Sequence, residues 1–257
     1  MMRKGTPKIR SLERTLAMLE MVIADGGRAN VSALARQTGL PVATAHRQIA
    51  TLVAERYLLP IGSGRHVAGT RLIGLLHRLD EKQMIASVAA PILHKLASLV
   101  RCVVQLGTLE NDMVTYRIKT GRGADHLFTR VGLQLEAYCS GIGKVLLAHL
   151  PLTEQETYLA GGPFVALTER TIIDPVRMRQ ELDVVRHEGY AIDDEEVALG
   201  LHCIAAPICK HDGNVPAAIS VSRSLSSPRR YDKSELLALL QEAARTITDE
   251  AFGARRP

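Results

Sequence analysis

The chain has 257 residues, 46% of them apolar, with three Phe and no Trp, enough for one large domain or two small ones. Its formal charge of +5 is unevenly placed: residues 1–80 hold 12 Lys/Arg against 5 Asp/Glu, and the remainder hold 20 against 22. Four widely spaced cysteines without a C-x-x-C pair, no run approaching 18 apolar residues and no apolar leader exclude a zinc ribbon, a redox dithiol, a membrane span and a secretory signal; reduced thiols in a cytoplasmic protein are expected.

Residues 1–8 read as a loose basic arm, with Arg3, Lys4, Lys8 and Arg10 either meeting phosphates or simply solvated. Ser11 is positioned to cap a helix over 12–24, with Leu12, Leu16, Leu19 and Ile23 as its apolar stripe and Asp25-Gly26-Gly27 as its stop. The next stretch, NVSALARQTGLPVATAHRQIATLVAERYLL over 30–59, reads as a helix-turn-helix. Gly39 suits the left-handed end of the first helix and Pro41 the opening of the second. At 100° per residue, Ala45, Ile49, Leu52 and Val53 fall on one face of the second helix. Ala43, Thr44, Arg47, Ala50 and Thr51 fall roughly opposite, with His46 and Gln48 on the flanks.

Small residues, hydroxyls and a single Arg suit close approach to a major groove, where Arg bridges guanine O6 and N7, Gln pairs with adenine and Thr methyls touch thymine. An ordinary surface helix would carry Lys and Glu instead. Two short apolar runs around Gly62-Ser63-Gly64 predict a hairpin wing with Arg65 and His66 near its tip. Val42, Ala43, Thr44, His46, Arg47, Gln48, Thr51, Arg65 and His66 are therefore the candidate DNA contacts, in the segment that also carries the excess positive charge.

From 71 to 100 the pattern is helical twice over, with Leu72, Leu75, Leu76 and Leu79 in one stripe and Val88, Ile92, Leu96 and Leu99 in a second. Pro91 predicts a kink or a new helix, and the stripes fit either pairing with a second copy of the chain or packing on their own domain. Beyond Arg101 the texture alternates. Strands are expected over 102–108 and 113–119 around Glu110-Asn111-Asp112, over 126–131, 189–192, 203–209 and 216–222, and helices from Ser140 to Pro151, over 153–159, from Asp174 to Glu188 and over 232–251. Strands and helices mixed without strict βαβ alternation argue for an α+β domain on an antiparallel sheet.

These residues carry a resemblance. GLPVATAHRQIATL, GIGKVLLAHLP and above all HEGYAIDDEEVALGLHCIAAPI followed by NVPAAISVS, with Gly189, Asp193, Glu196, Cys203 and Ala205 at matching spacing, identify the chain as similar to the IclR family of bacterial transcriptional regulators. The resemblance implies a winged helix-turn-helix over 1–76, linker helices over 77–98 and a GAF-like α+β effector-binding domain over 99–257. It also implies a dimer or tetramer acting on palindromic promoter DNA, in answer to a small organic or aromatic acid. By the family pattern the acid's carboxylate meets backbone amides at Gly141 and Ile142, where a helix start favours an anion. Asp193, Cys203, Ser220 and Ser222 match pocket-lining positions. The chain departs from the pattern at Tyr138, which stands where relatives often carry an imidazole at the pocket's edge.

Enzyme readings fail on spacing. The Gly143-Lys144 pair lacks the preceding Gly and following Ser/Thr of a phosphate loop, and no G-x-S-x-G or H-E-x-x-H occurs. Cys203 and His202 point to opposite faces of a strand, poor geometry for a nucleophile and its base. No catalytic residue, cofactor, metal or membrane partner is expected. The competing reading is a GAF-like metabolite-binding or catalytic protein whose helix-turn-helix serves protein contacts alone.

Overall fold

The structure is a computed structural model and describes residues 7–224 and 231–253, so Arg3 and Lys4 of the expected arm lie outside the described residues. The chain divides into two compact units, residues 1–80 and 81–257.

The first unit holds α1 (Arg10–Asp25), α2 (Val31–Thr38), α3 (Val42–Ala54), the antiparallel pair β1 (Leu58–Gly62) and β2 (Arg65–Ala68), and α4 (Thr70–Leu76). Asn30 opens α2, its side chain accepting the Ala33 amide, and Gly39 closes it at φ 66°, a conformation that costs glycine nothing. Pro41 lies one position earlier than expected, at the N-cap of α3, and Ala45, Ile49 and Leu52 are the buried face of that helix as its spacing requires. The start of α1 differs from expectation. It begins at Arg10 after Ile9 with no side-chain cap, and Ser11 lies within the helix, its carbonyl accepting the Thr15 hydroxyl. Met18 and Val22 pack into the core, while Leu12, Leu16 and Ile23 are exposed. α1 is apolar over so wide an arc that periodicity alone does not select which edge faces α2 and α3.

The second unit is a six-stranded antiparallel sheet in the order β5-β4-β3-β8-β7-β6, covered on both faces. Its strands are β3 (Val103–Glu110), β4 (Met113–Gly121), β5 (Gln134–Glu136), β6 (Ala191–Asp194), β7 (Leu201–Ile208) and β8 (Ala217–Ser224). The expected α+β class is present. α5 (Glu81–Val100) and α9 (Lys233–Phe252) cover one face, over a core that includes Leu93, Leu106, Ile204, Ile219 and Leu240. On the other face lie α6 (Gly141–Ala148), α7 (Leu152–Leu159) and α8 (Pro175–Glu188), packed with Val114, Tyr116, Leu147, Met178 and Ala205.

Three further expectations change. α5 runs through Pro91 as one helix, and its Ile85, Ala89, Leu93, Leu96 and Ala97 are buried in the second unit's core, so the stretch read as a linker is for the most part a structural member of that unit. The same helix is long and apolar enough to cross a membrane by composition, but these residues are committed to the sheet and α9. No strand forms over 126–131: a 3-10 turn, Ala124–His126, leads into irregular chain, and a short strand appears at β5 instead.

Candidate functional site

Each unit presents one candidate site. In the first, Val42, Ala43, His46, Arg47 and Thr51 are exposed on α3, and Thr44 and Gln48 are half-buried. Thr51 donates its hydroxyl to the Arg47 carbonyl at 3.0 Å, and the Oε1 of Gln48 is buried. The wing turns through Ser63 and Gly64, both at positive φ, so Arg65 emerges exposed at its tip. Hydrogen bonding of the Val31 amide to the Gly64 carbonyl at 3.0 Å ties the wing to the start of α2. His66 is half-buried beside His46; burial first, and the neighbouring imidazole after it, pull its pKa below the ordinary value, against a bond to Gly64. Of the nine residues expected to touch DNA, Val42, Ala43, His46, Arg47, Thr51 and Arg65 are exposed, and Thr44, Gln48 and His66 are half-buried.

In the second unit, the period-2 alternation of three adjacent strands sets the site. Val104, Leu106, Ile204, Ala206, Ile219 and Val221 serve the core under α5 and α9. Their neighbours Gln105, Cys203, Ser220 and Ser222 therefore face α6. Register aligns them: Asp193 pairs with Cys203, Cys203 with Ser222, and Gln105 with Ser220. Together with Asp193, Tyr116, Ser140 and the first turn of α6 at Gly141 and Ile142, they line a partly enclosed cavity of about 20 Å³. Leu127, Phe128 and Thr129 line it from the irregular segment after β4, Val197 from the turn after β6 and Leu201 from the start of β7.

α6 starts where it does because Ser140 caps it, accepting the Gly143 amide at 3.1 Å. A side chain at Gly143 would lie 2.0 Å from the Ala137 carbonyl oxygen, so only glycine permits this approach. The first-turn amides of Gly141 and Ile142 have no acceptor within the helix, and they border the cavity. A chain of hydrogen bonds runs along the sheet wall: the Cys203 thiol donates to Ser222 at 3.1 Å, Ser222 to Gln105 Oε1 at 3.3 Å, and Gln105 Nε2 to the Thr129 hydroxyl at 2.7 Å.

The carboxyls here are electrostatically unusual. Burial pushes Asp193 up to about 6, against the Glu196 amide that donates to it and the charge of Lys144. Burial likewise pushes Glu196 up to about 7, against Lys144, whose ammonium lies 2.5 Å from one of its oxygens; the other oxygen is buried without a partner. Lys144 is 1% exposed, and burial by itself pulls its pKa down. Glu196 and Glu181, the latter at 2.8 Å, outweigh that and hold it charged. The Cys203 thiol is raised well above its ordinary value by burial, so it acts as a neutral hydrogen-bond donor rather than a nucleophile.

The structure brings Gly141, Ile142, Asp193, Cys203, Ser220 and Ser222 together around one cavity. Tyr138 does not belong with them. Its ring stacks on Phe164 at 4.6 Å, its hydroxyl donates to the Val165 carbonyl at 2.8 Å, and it is a core residue beside α7 rather than a wall of the cavity. An adjacent position in sequence faces the opposite way once the chain leaves β5 and turns into α6. Gln105, Thr129 and Ser140 line the cavity without having been expected there from the sequence; a lone Gln in the apolar run VVQLG is the one local signal for the first.

With both sites in view, comparison with known proteins is specific. Residues 11–60 match the family model described as the IclR helix-turn-helix domain, and residues 77–249 the model described as bacterial transcriptional regulator IclR C-terminal. The chain is similar to the transcriptional repressor IclR of Escherichia coli K12, 30% identical over 98% of this chain and 93% of that one. Among solved structures it is similar to the Agobacterium tumefaciens repressor BlcR, at 25% identity and a TM-score of 0.69 over 96% of this chain and 98% of that one. It is also similar to an IclR homolog from Microbacterium hydrocarbonoxydans complexed with 4-hydroxybenzoate, at 27% identity and a TM-score of 0.61 over 94% and 98%.

Proposed function

The chain belongs to the IclR family of bacterial transcriptional regulators, and on that premise we propose that it controls a catabolic operon by reading a palindromic operator in response to a small organic or aromatic acid. Its similar proteins are named regulators and repressors, not enzymes. The observation that carries the reading is the pairing, in one chain, of an exposed α3 face centred on Arg47 with a partly enclosed cavity bordered by the α6 amides. Arg47, with Ala43, Thr44 and Thr51 around it, reads base edges in the major groove, and Arg65 with His66 follows the wing toward the adjacent backbone.

In the second unit the acid's carboxylate accepts hydrogen bonds from Gly141 and Ile142, while Asp193, Cys203, Ser220 and Ser222 position the rest. Support for an aromatic or small organic acid comes from the homolog solved with 4-hydroxybenzoate, and for a catabolic target from a relative named the Pca regulon regulatory protein in Pseudomonas putida, 28% identical over 95% of this chain. Ile9, Leu12, Leu16 and Ile23 give α1 an exposed apolar stripe that suits pairing of two copies, which a palindrome requires. The setting of action is the cytoplasm, where promoter DNA is reached.

Fluorescence anisotropy with the DNA upstream of the chain's own gene tests this. Affinity is expected to exceed that for random duplex of equal length, and to fall steeply with salt as phosphate contacts release counterions. Equal affinity for the two duplexes overturns the proposal.

A further inference from the structure

We infer that Gln105 sets the cavity's specificity: it keeps the segment 127–129 closed by holding Thr129, and it admits an acid that brings a second hydrogen-bond acceptor to the same carboxamide. This rests on the reading that the second unit binds a small acid.

The cavity of about 20 Å³ has room for a water or two, whereas an acid of a few carbons needs several times the roughly 30 Å³ share of one water. A wall must therefore yield. The strands are fixed by their ladders and α6 by its cap. The turn after β6 is held by many bonds: Asp193 accepts the Glu196 amide, Glu195 accepts the Gly200 amide, and the hydroxyls of Thr168 and Thr171 donate to the carbonyls of Glu195 and Glu196. Segment 127–129 belongs to neither helix nor strand. Lys119, paired with Gln105 across the two strands but not lining the cavity, donates its Nζ to the Leu127 carbonyl at 2.7 Å and to the Thr129 carbonyl; Gln105, which does line it, donates Nε2 to the Thr129 hydroxyl at 2.7 Å. The bond at the cavity wall is the one an occupant must replace.

The chemistry of that replacement selects the occupant. Gln105 is 3% exposed, and because its Oε1 accepts from Ser222 its amide nitrogen is fixed toward Thr129. When Thr129 moves away, a buried N–H pair loses its acceptor, a penalty that an acid satisfied at the α6 amides alone leaves in place. A hydroxy, oxo or second carboxylate oxygen removes it. A buried donor discriminates strongly against an analogue lacking its acceptor, far more than an apolar wall discriminates by one methylene.

Hydrogen exchange of the full chain, read by mass spectrometry, tests the latch without a ligand. In Thr129→Val and in Gln105→Leu, exchange over 127–131 is expected to rise by roughly tenfold, as loss of one buried hydrogen bond implies, with no further rise in the double variant. Strands β3 and β4 keep wild-type exchange. No rise, additive rises, or a rise across the sheet overturns the latch. A second arm uses matched probes in thermal-shift titrations: succinate against butyrate, and 4-hydroxybenzoate against benzoate. Wild type is expected to favour the member with the second acceptor by about tenfold, and Gln105→Leu to lose that preference. A wild type indifferent within both pairs overturns the specificity role; a wild type shifted by no acid overturns the small-acid reading itself, and the exchange arm still decides the latch.

Discussion

The recognition face of α3 and the cavity under α6 are built on opposite plans. The first lies on a single helix, its side chains for the most part exposed and small around one arginine, while the cap at Asn30 and the tie from Gly64 hold the preceding helix α2. The second takes residues from β3, β4, β6, β7, β8 and α6, partly encloses them, and satisfies many of their polar atoms internally. A partner as large and highly charged as a duplex can be read from one exposed face, because affinity comes from many phosphates at once. A small molecule offers few atoms, so its site has to surround it and exclude water. Burial has an electrostatic consequence: among the described residues Asp193, which lines the cavity, and Glu196, three residues on and paired with Lys144, carry strongly raised carboxyls, and the α3 face carries none.

The sharpest way to break this contrast is Lys144→Met. It leaves Glu196 and Glu181 against each other without their cation, and a buried charge stripped of its partner costs roughly 3–5 kcal/mol. Urea unfolding is expected to show that loss in the second unit alone. Because Glu196 can take up a proton near pH 7, the loss should be smaller at pH 6 than at pH 8. An equal loss in both units would mean that the triad does not belong to one of them.

A subtler probe is Asp193→Asn. The folded carboxyl is raised from 3.8 to about 6, so its contribution to stability is fully present below about pH 4 and is lost as pH rises through about 6. The variant should flatten that decline in the second unit's melting temperature and gain roughly 2–3 kcal/mol over wild type at pH 7, since Asn still accepts the Glu196 amide. An unchanged pH profile would place Asp193 in contact with bulk water. At the other site, Arg47→Ala should leave both melting transitions where they are and cost roughly 1–3 kcal/mol of binding at the specific duplex. An equal loss on random duplex would reduce Arg47 to a phosphate contact.

The same contrast explains what could be read from the chain before its structure. The helix-turn-helix, the wing and the Asp174 cap of α8 were legible because each is decided within a few residues by periodicity, capping or a Gly turn. The buried edge of α1 is not legible because its apolar arc is wide, and the continuity of α5 through Pro91 is not, because the packing of Ile85 through Val100 against a sheet formed later in the chain is invisible locally. Around the cavity, family spacing located Asp193, Cys203, Ser220 and Ser222, but it placed Tyr138 there too, since sequence proximity to Ser140 does not say which side of the turn a ring falls on. Gln105 and Thr129 are 24 residues apart and meet only across a folded sheet and an irregular segment.

Coupling between cavity and α3 face is read by anisotropy of the full chain on its specific duplex, with and without an acid that raises the second unit's melting temperature. At least a fivefold change in DNA affinity, the low end of ordinary allosteric coupling, is expected, together with its loss in a variant that no longer binds the acid. An affinity unmoved while the cavity is saturated would rule that coupling out.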